Sequence, residues 1–103
     1  MNKNRTLGHS VESLRMAELN LLETYLKDKN IPYKRRDIFD GEQILVFDAV
    51  GNNLWDAIIH SGSYGHKLGL LEIRGTIVNR EIDGDTVVGN LTAQDIIERI
   101  ERQ

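Results

Sequence analysis

Two apolar runs, LWDAIIH at residues 54–60 and LLEIRGTIV at 70–78, flank the segment SGSYGHKLG at 61–69, and this arrangement limits the possible folds more than any other feature. In the first run Trp55, Ala57 and Ile59 alternate with Leu54, Asp56, Ile58 and His60. In the second, Leu71, Ile73, Gly75 and Ile77 alternate with Glu72, Arg74, Thr76 and Val78. A period of two is that of a strand with one buried face. The competing helix through KLGLLEIR is disfavoured, because Gly69 and Gly75 would each cost roughly 1 kcal/mol in a helix interior.

The flanking chain gives this pair its support. Ser10 is placed to cap a helix whose apolar positions Val11, Leu14, Leu21, Leu22 and Tyr25 recur at helical spacing, with Glu18 at the edge of the stripe. Residues 1–8 before it are expected to fray as a disordered tail. Asn30 suits the left-handed residue that ends a helix, and Pro32, the only proline, prevents continuation. From Tyr33 the period becomes two: Tyr33, Arg35, Asp37 and Phe39 alternate with Lys34, Arg36 and Ile38, a polar mixture that suits an edge strand. Asp40-Gly41 is a strong hairpin signal, and QILVF at 43–47, apolar on both faces, belongs inside a sheet. Gly51-Asn52-Asn53 makes the next turn. Beyond the second strand lie a charged loop at 79–85 that ends in Asp83-Gly84, a short strand at best over Thr86-Val87-Val88, and a final helix. Thr92 caps that helix with Asp95 in the manner of a capping box, and Ala93, Ile96, Ile97 and Ile100 form its apolar stripe. The expected fold is a single α+β domain over 1–103, an antiparallel sheet of about four strands with an N-terminal and a C-terminal helix on one face.

Composition narrows the function classes. A chain of 103 residues holds one core, and 40% hydrophobic with 28% charged residues is the balance of a globular domain. With no cysteine, disulfides, thiolate catalysis and Cys-ligated zinc are excluded. The opening MNKNRTLGHSVES offers no apolar core for a signal peptide, and no stretch approaches the roughly 18 apolar residues of a membrane span, so a cytoplasmic protein without a membrane partner is expected. A formal charge of -3 argues against nonspecific nucleic-acid binding.

Three functional readings remain open. The first is a non-catalytic binding module for a protein partner, with self-association into a homodimer as a further expectation. Its binding residues would be Trp55, His60, Ser61, Ser63, Tyr64, His66 and Glu72, on or beside a polar loop held between two strong strands. The glycines of that loop fit neither the phosphate loop, which needs Lys followed by Ser or Thr after its last glycine, nor the dinucleotide motif, which opens a helix. The second is nucleic-acid binding through Lys27, Lys29, Lys34, Arg35 and Arg36, for which edge protection is the structural counterpart. The third is a small enzyme in which His60, His66 and Glu72 converge. Their spacing matches no ligand motif, Ser63 lacks the Gly-x-Ser-x-Gly elbow, and no catalytic residue, metal or cofactor is assigned.

The segments WDAIIHSGSYGHKLGLLEIRG and DTVVGNLTAQDIIERI together resemble a group of uncharacterised small proteins from phages, prophages and mobile elements of Gram-positive, often gut-dwelling, bacteria. The likeness rests on a Trp-led strand ending in His (Trp55, His60), a Ser-Tyr-Gly turn (Ser63 to Gly65), Gly69 to Glu72, and a helix start at Leu91 to Asp95. It covers roughly residues 42–100. Members often carry Cys before the histidine, where this chain has Ile59. The resemblance implies a mobile-element origin and importance for the central loop, and carries no activity.

Overall fold

The computed structural model describes residues 3–103, with side chains from Leu14 onward. Its elements are α1 (Lys3–Asp28), β1 (Tyr33–Ile38), β2 (Gly41–Phe47), β3 (Asn53–His60), β4 (Leu71–Gly75), α2 (Arg80–Asp83), β5 (Val87–Leu91) and α3 (Ala93–Arg102). The five strands pair antiparallel in chain order, so the sheet is a meander with helices at both ends of the chain. The fold is α+β, with one strand more than expected. That strand, β5, extends past Val88 through Gly89 and Asn90, where its register with β4 shifts and Asn90 takes φ 60°.

Register explains where the core sits. Ile44 lies opposite Ala57, which lies opposite Ile73, while Val46 lies opposite Trp55 and Trp55 opposite Gly75. Opposed residues share a face, so these two rows, with Ile59 and Leu71, make one apolar surface. Met16, Leu19, Leu22 and Leu26 of α1 and Ala93 and Ile96 of α3 close over it. Leu19, Leu22 and Leu26 are fully buried, each contributing roughly 1.5–3 kcal/mol of transfer free energy.

The expected stripe of α1 is therefore only partly the buried one. Leu22 faces the core and Tyr25 packs at its edge, but Leu14 and Leu21 are 71% and 57% exposed, and the side chain of Val11 lies outside the described residues. Glu18 interrupts the expected stripe, and burying it centrally would strip a carboxylate of solvent. It lies instead at the flank, where its Oε1 accepts from the Ala93 N–H at 2.7 Å and ties α1 to the start of α3. Ser10 lies inside α1 rather than at its start, because Lys3 to His9 contain no proline to stop the helix running upstream. Of the expected frayed tail, Met1 and Asn2 lie outside the described residues.

The punctuation is mostly where the residues asked for it. Asn30 has φ 56° at the end of α1, and Thr92 and Asp95 form the reciprocal capping box of α3. The first hairpin differs by one residue: Ile38 pairs with Gly41, so Phe39 and Asp40 form the turn and Gly41 opens β2. Its need for glycine is steric, since a Cβ there would stand 1.9 Å from the Ile59 carbonyl oxygen on β3. Within the expected charged loop, Asn79 caps the short helix α2 by accepting from the N–H groups of Glu81 and Ile82.

Candidate functional site

The chain between β3 and β4 is a folded object with its own hydrogen bonds. Ser63 is 4% exposed. Its Oγ accepts from the His60 N–H at 3.0 Å and donates to the His60 carbonyl at 2.9 Å. The Ser63 N–H donates to that same carbonyl at 3.0 Å. The Gly62 N–H donates to His60 Nδ1 at 2.8 Å. The loop thus turns sharply on the last residue of β3. A second anchor comes from β4, where the Oε1 of Glu72, 8% exposed, accepts from the Tyr64 N–H at 2.9 Å.

The third anchor is β5. The Tyr64 carbonyl accepts from the Asn90 N–H at 3.4 Å, and a Cβ at Gly89 would stand 2.3 Å from the Tyr64 Cβ. Gly65, at φ 89°, faces the Asn90 Cα and the Leu70 Cβ, where any side chain would come within 2.9 Å of either. The Ser-Tyr-Gly turn is seated on Gly89-Asn90, so the β3–β4 loop and β5 form one packed unit. After Gly65 a single 3-10 turn, His66–Leu68, closes at Gly69, and Leu70 returns to the sheet by donating to the Gly65 carbonyl at 3.0 Å.

Three anchors leave part of the loop on display. Tyr64 and Leu68 are 62% and 77% exposed, and Ser61 and Lys67 are exposed beside them. His66, Lys67, Leu68 and Gly69 face Leu14 and Arg15 of α1 across a crevice of about 520 Å³. A guanidinium N–H of Arg15 donates to the Asp40 carbonyl in the first hairpin turn, so α1 touches both that turn and the 61–69 loop at this end of the sheet.

The expected site residues divide accordingly. His60, Ser63, Tyr64 and Glu72 are brought together. Trp55 is not among them: at 4% exposed it belongs to the core, on the sheet face opposite His60 and Glu72. The proposed acid-base cluster also separates. His60 and Glu72 are each spent on a loop amide and His66 lines the crevice against α1. Among the described residues no group of three His, Cys, Asp or Glu is placed to hold a metal ion. Sequence reasoning missed the seat at Gly89 and Asn90, whose signal was a small residue and an αL-tolerant one in succession ahead of Leu91.

The basic stretch is also dispersed. Arg35 bridges β2 and α1: its guanidinium donates to Glu42 of β2 at 2.7 Å and to Glu23 and Asn20 of α1 at 2.9 and 2.7 Å, and its side chain is 16% exposed. Partial burial of Glu23 is outweighed by hydrogen bonds from Tyr33 and Arg35, which hold its carboxyl below the usual range. Lys34 and Arg36 point to the other face, with Arg36 donating to Gln43 at 2.7 Å. Lys29 lies over the Tyr25 ring at the end of α1. Arg35 is thus spent on carboxylates, whereas Lys27, Lys29, Lys34 and Arg36 are exposed.

Elsewhere, a cleft of about 620 Å³ runs between residues 76–83 and the end of α3. Inside it Arg99 grips Asp83 through two contacts of 2.9 Å, and that hydrogen bonding holds the Asp83 carboxyl below its ordinary value. No described helix is long and apolar enough to cross a membrane. No protein-family model, curated protein or solved structure matches this chain.

Proposed function

We propose that this chain is a non-catalytic interaction module that binds a protein partner through the 61–69 loop and the end of the sheet around it. The observation that carries the reading is the division of labour in the loop. Ser63, His60 and Glu72 spend their polar groups on loop backbone, while Tyr64, Lys67 and Leu68 stand in solvent on a preformed frame. A frame fixed before binding lowers the ordering cost of association, and exposed aromatic and aliphatic side chains are what such frames present. The same spending argues against chemistry, since a nucleophile or base must keep its lone pair for substrate. A mobile-element origin, suggested by the resemblance of residues 42–100 to phage and prophage proteins, belongs to the same proposal.

The test is capture of partners from cell lysate by the tagged chain beside the double variant Tyr64→Ser, Leu68→Ser. A partner retained by the parent and lost by the variant, at unchanged thermal stability, supports the reading. Equal capture by both removes the loop as the binding surface.

A further inference from the structure

The face of the sheet turned away from α1 and α3 has a polar order of its own. Lys34, Leu45, Asp56, Arg74 and Val87 stand opposite one another in a row that crosses all five strands. Beside it runs the row of Arg36, Gln43, Ile58 and Glu72. The two carboxylates of these rows are buried and already engaged. Asp56 Oδ2 accepts from Gln43 Nε2 at 2.8 Å and from an Arg74 guanidinium N–H at 3.1 Å, while Glu72 accepts from the Tyr64 N–H. The cations Lys34, Arg36 and Arg74 are exposed instead. Arg36 Nε donates to Gln43, whose amide donates to Asp56, so a chain of hydrogen bonds from β1 to β3 orients the Arg36 guanidinium. Among the described residues, the Lys34 ammonium and the terminal nitrogens of Arg36 have no partner. Tyr64, 62% exposed, stands at the β5 margin of this face, with its N–H on Glu72 and its Cβ against Gly89.

We infer that this outer face binds single-stranded nucleic acid, with phosphates on Lys34, Arg36 and Arg74 and an unpaired base stacked on Tyr64. The formal charge of -3 belongs to the whole chain; on this face the acids are recessed and hydrogen-bonded, and the charged side chains that reach solvent are cationic. A guanidinium fork suits a phosphate, and the free terminal nitrogens of Arg36 keep that geometry open. From β1 to β4 is three strand spacings, about 14 Å, so a short run of nucleotides reaches all three cations. An exposed ring beside a cationic track is the arrangement of sequence-tolerant single-strand binding. Ile58, at the centre of the face, is 3% exposed, which leaves an incoming peptide little apolar surface to bury and favours a polyanion. Paired bases would leave Tyr64 without a stacking partner, which favours a single strand over a duplex. This surface goes beyond the protein-binding loop and does not depend on it.

Fluorescence anisotropy of a labelled oligo(dT) of about 12 nucleotides tests this, since none of these contacts needs a 2′-hydroxyl. The parent, Lys34→Glu, Tyr64→Ala and Leu68→Ser are titrated across a salt series, each with its melting temperature measured; Lys34→Glu removes no native hydrogen bond. For the parent, log affinity is expected to fall against log salt with a slope of about -2, the value for three phosphate contacts. Lys34→Glu should bind about fivefold more weakly or worse at about 50 mM salt, with a shallower slope. Tyr64→Ala should lose about fivefold or more at the parental slope, and Leu68→Ser should bind like the parent. No binding at about 50 mM salt, or binding indifferent to Lys34→Glu, would overturn the proposal. A duplex of the same length bound as tightly would overturn the single-strand reading. Loss of the oligonucleotide on Leu68→Ser would move it to the loop and overturn the outer face. Because Leu68→Ser probes the loop alone, failure of this surface and failure of the loop are separately visible.

Discussion

The two halves of the 61–69 loop obey different physics. From Ser61 to Gly65 the chain is anchored: Ser63 is buried, Tyr64 is held by Glu72 and Asn90, and Gly65 has no room for a side chain. From His66 to Gly69 the backbone is closed by its own 3-10 hydrogen bonds, but Lys67 and Leu68 are exposed. The difference teaches that order and accessibility need not conflict. Anchoring the first half on three strands lets the second present side chains without itself being buried.

Substitutions separate the halves by what they damage. The largest effect is expected for Gly65→Ala, which adds a Cβ to a left-handed residue and drives it within 2.9 Å of the Asn90 Cα. Urea unfolding should show a loss of about 3 kcal/mol, and a loss below about 1 kcal/mol would mean that the turn is not seated on β5. Ser63→Ala removes one side-chain donor and one acceptor, and is expected to cost about 1–2 kcal/mol by the same measurement. At the other extreme, Leu68→Ser should change stability by less than about 0.5 kcal/mol while abolishing partner binding, because its side chain is already in water.

A control lies away from the loop. With Asp83 held below its ordinary carboxylate value by Arg99, its contribution is complete above that ordinary value and is lost as pH falls through the lowered one. Asp83→Asn should therefore lower the melting temperature slightly at neutral pH, and the gap from the parent should close in acid. The loop should be insensitive to this change, which separates local from global loosening.

Much of the frame was legible because its signals are local. Asn30 and Pro32 end α1, Thr92 and Asp95 start α3, and alternation marks β3 and β4, all within a few residues of where they act. What was hidden depends on distant partners. Alternation placed Glu72 on the polar face but gave no sign that it would receive the Tyr64 N–H after the chain turned back. Gly89 and Asn90 carried no assignment because their value lies in seating Tyr64, and Trp55 read as a site residue because its opposing Val46 and Gly75 come from other strands. On α1 the competing stripes 14-21-25 and 16-19-22-26 differ only in which one meets the sheet, and the exposed Leu14 became a wall of the crevice.

Native-state hydrogen exchange of the loop amides, read by NMR at neutral pH, bears most directly on the claim that this segment is folded before any partner arrives. The account expects the Ser63, Tyr64 and Leu70 amides, donors to His60, Glu72 and Gly65, to exchange at least a hundredfold more slowly than in an unstructured peptide, about 2.7 kcal/mol of local opening. Exchange of all three at the rate of a free peptide would contradict it.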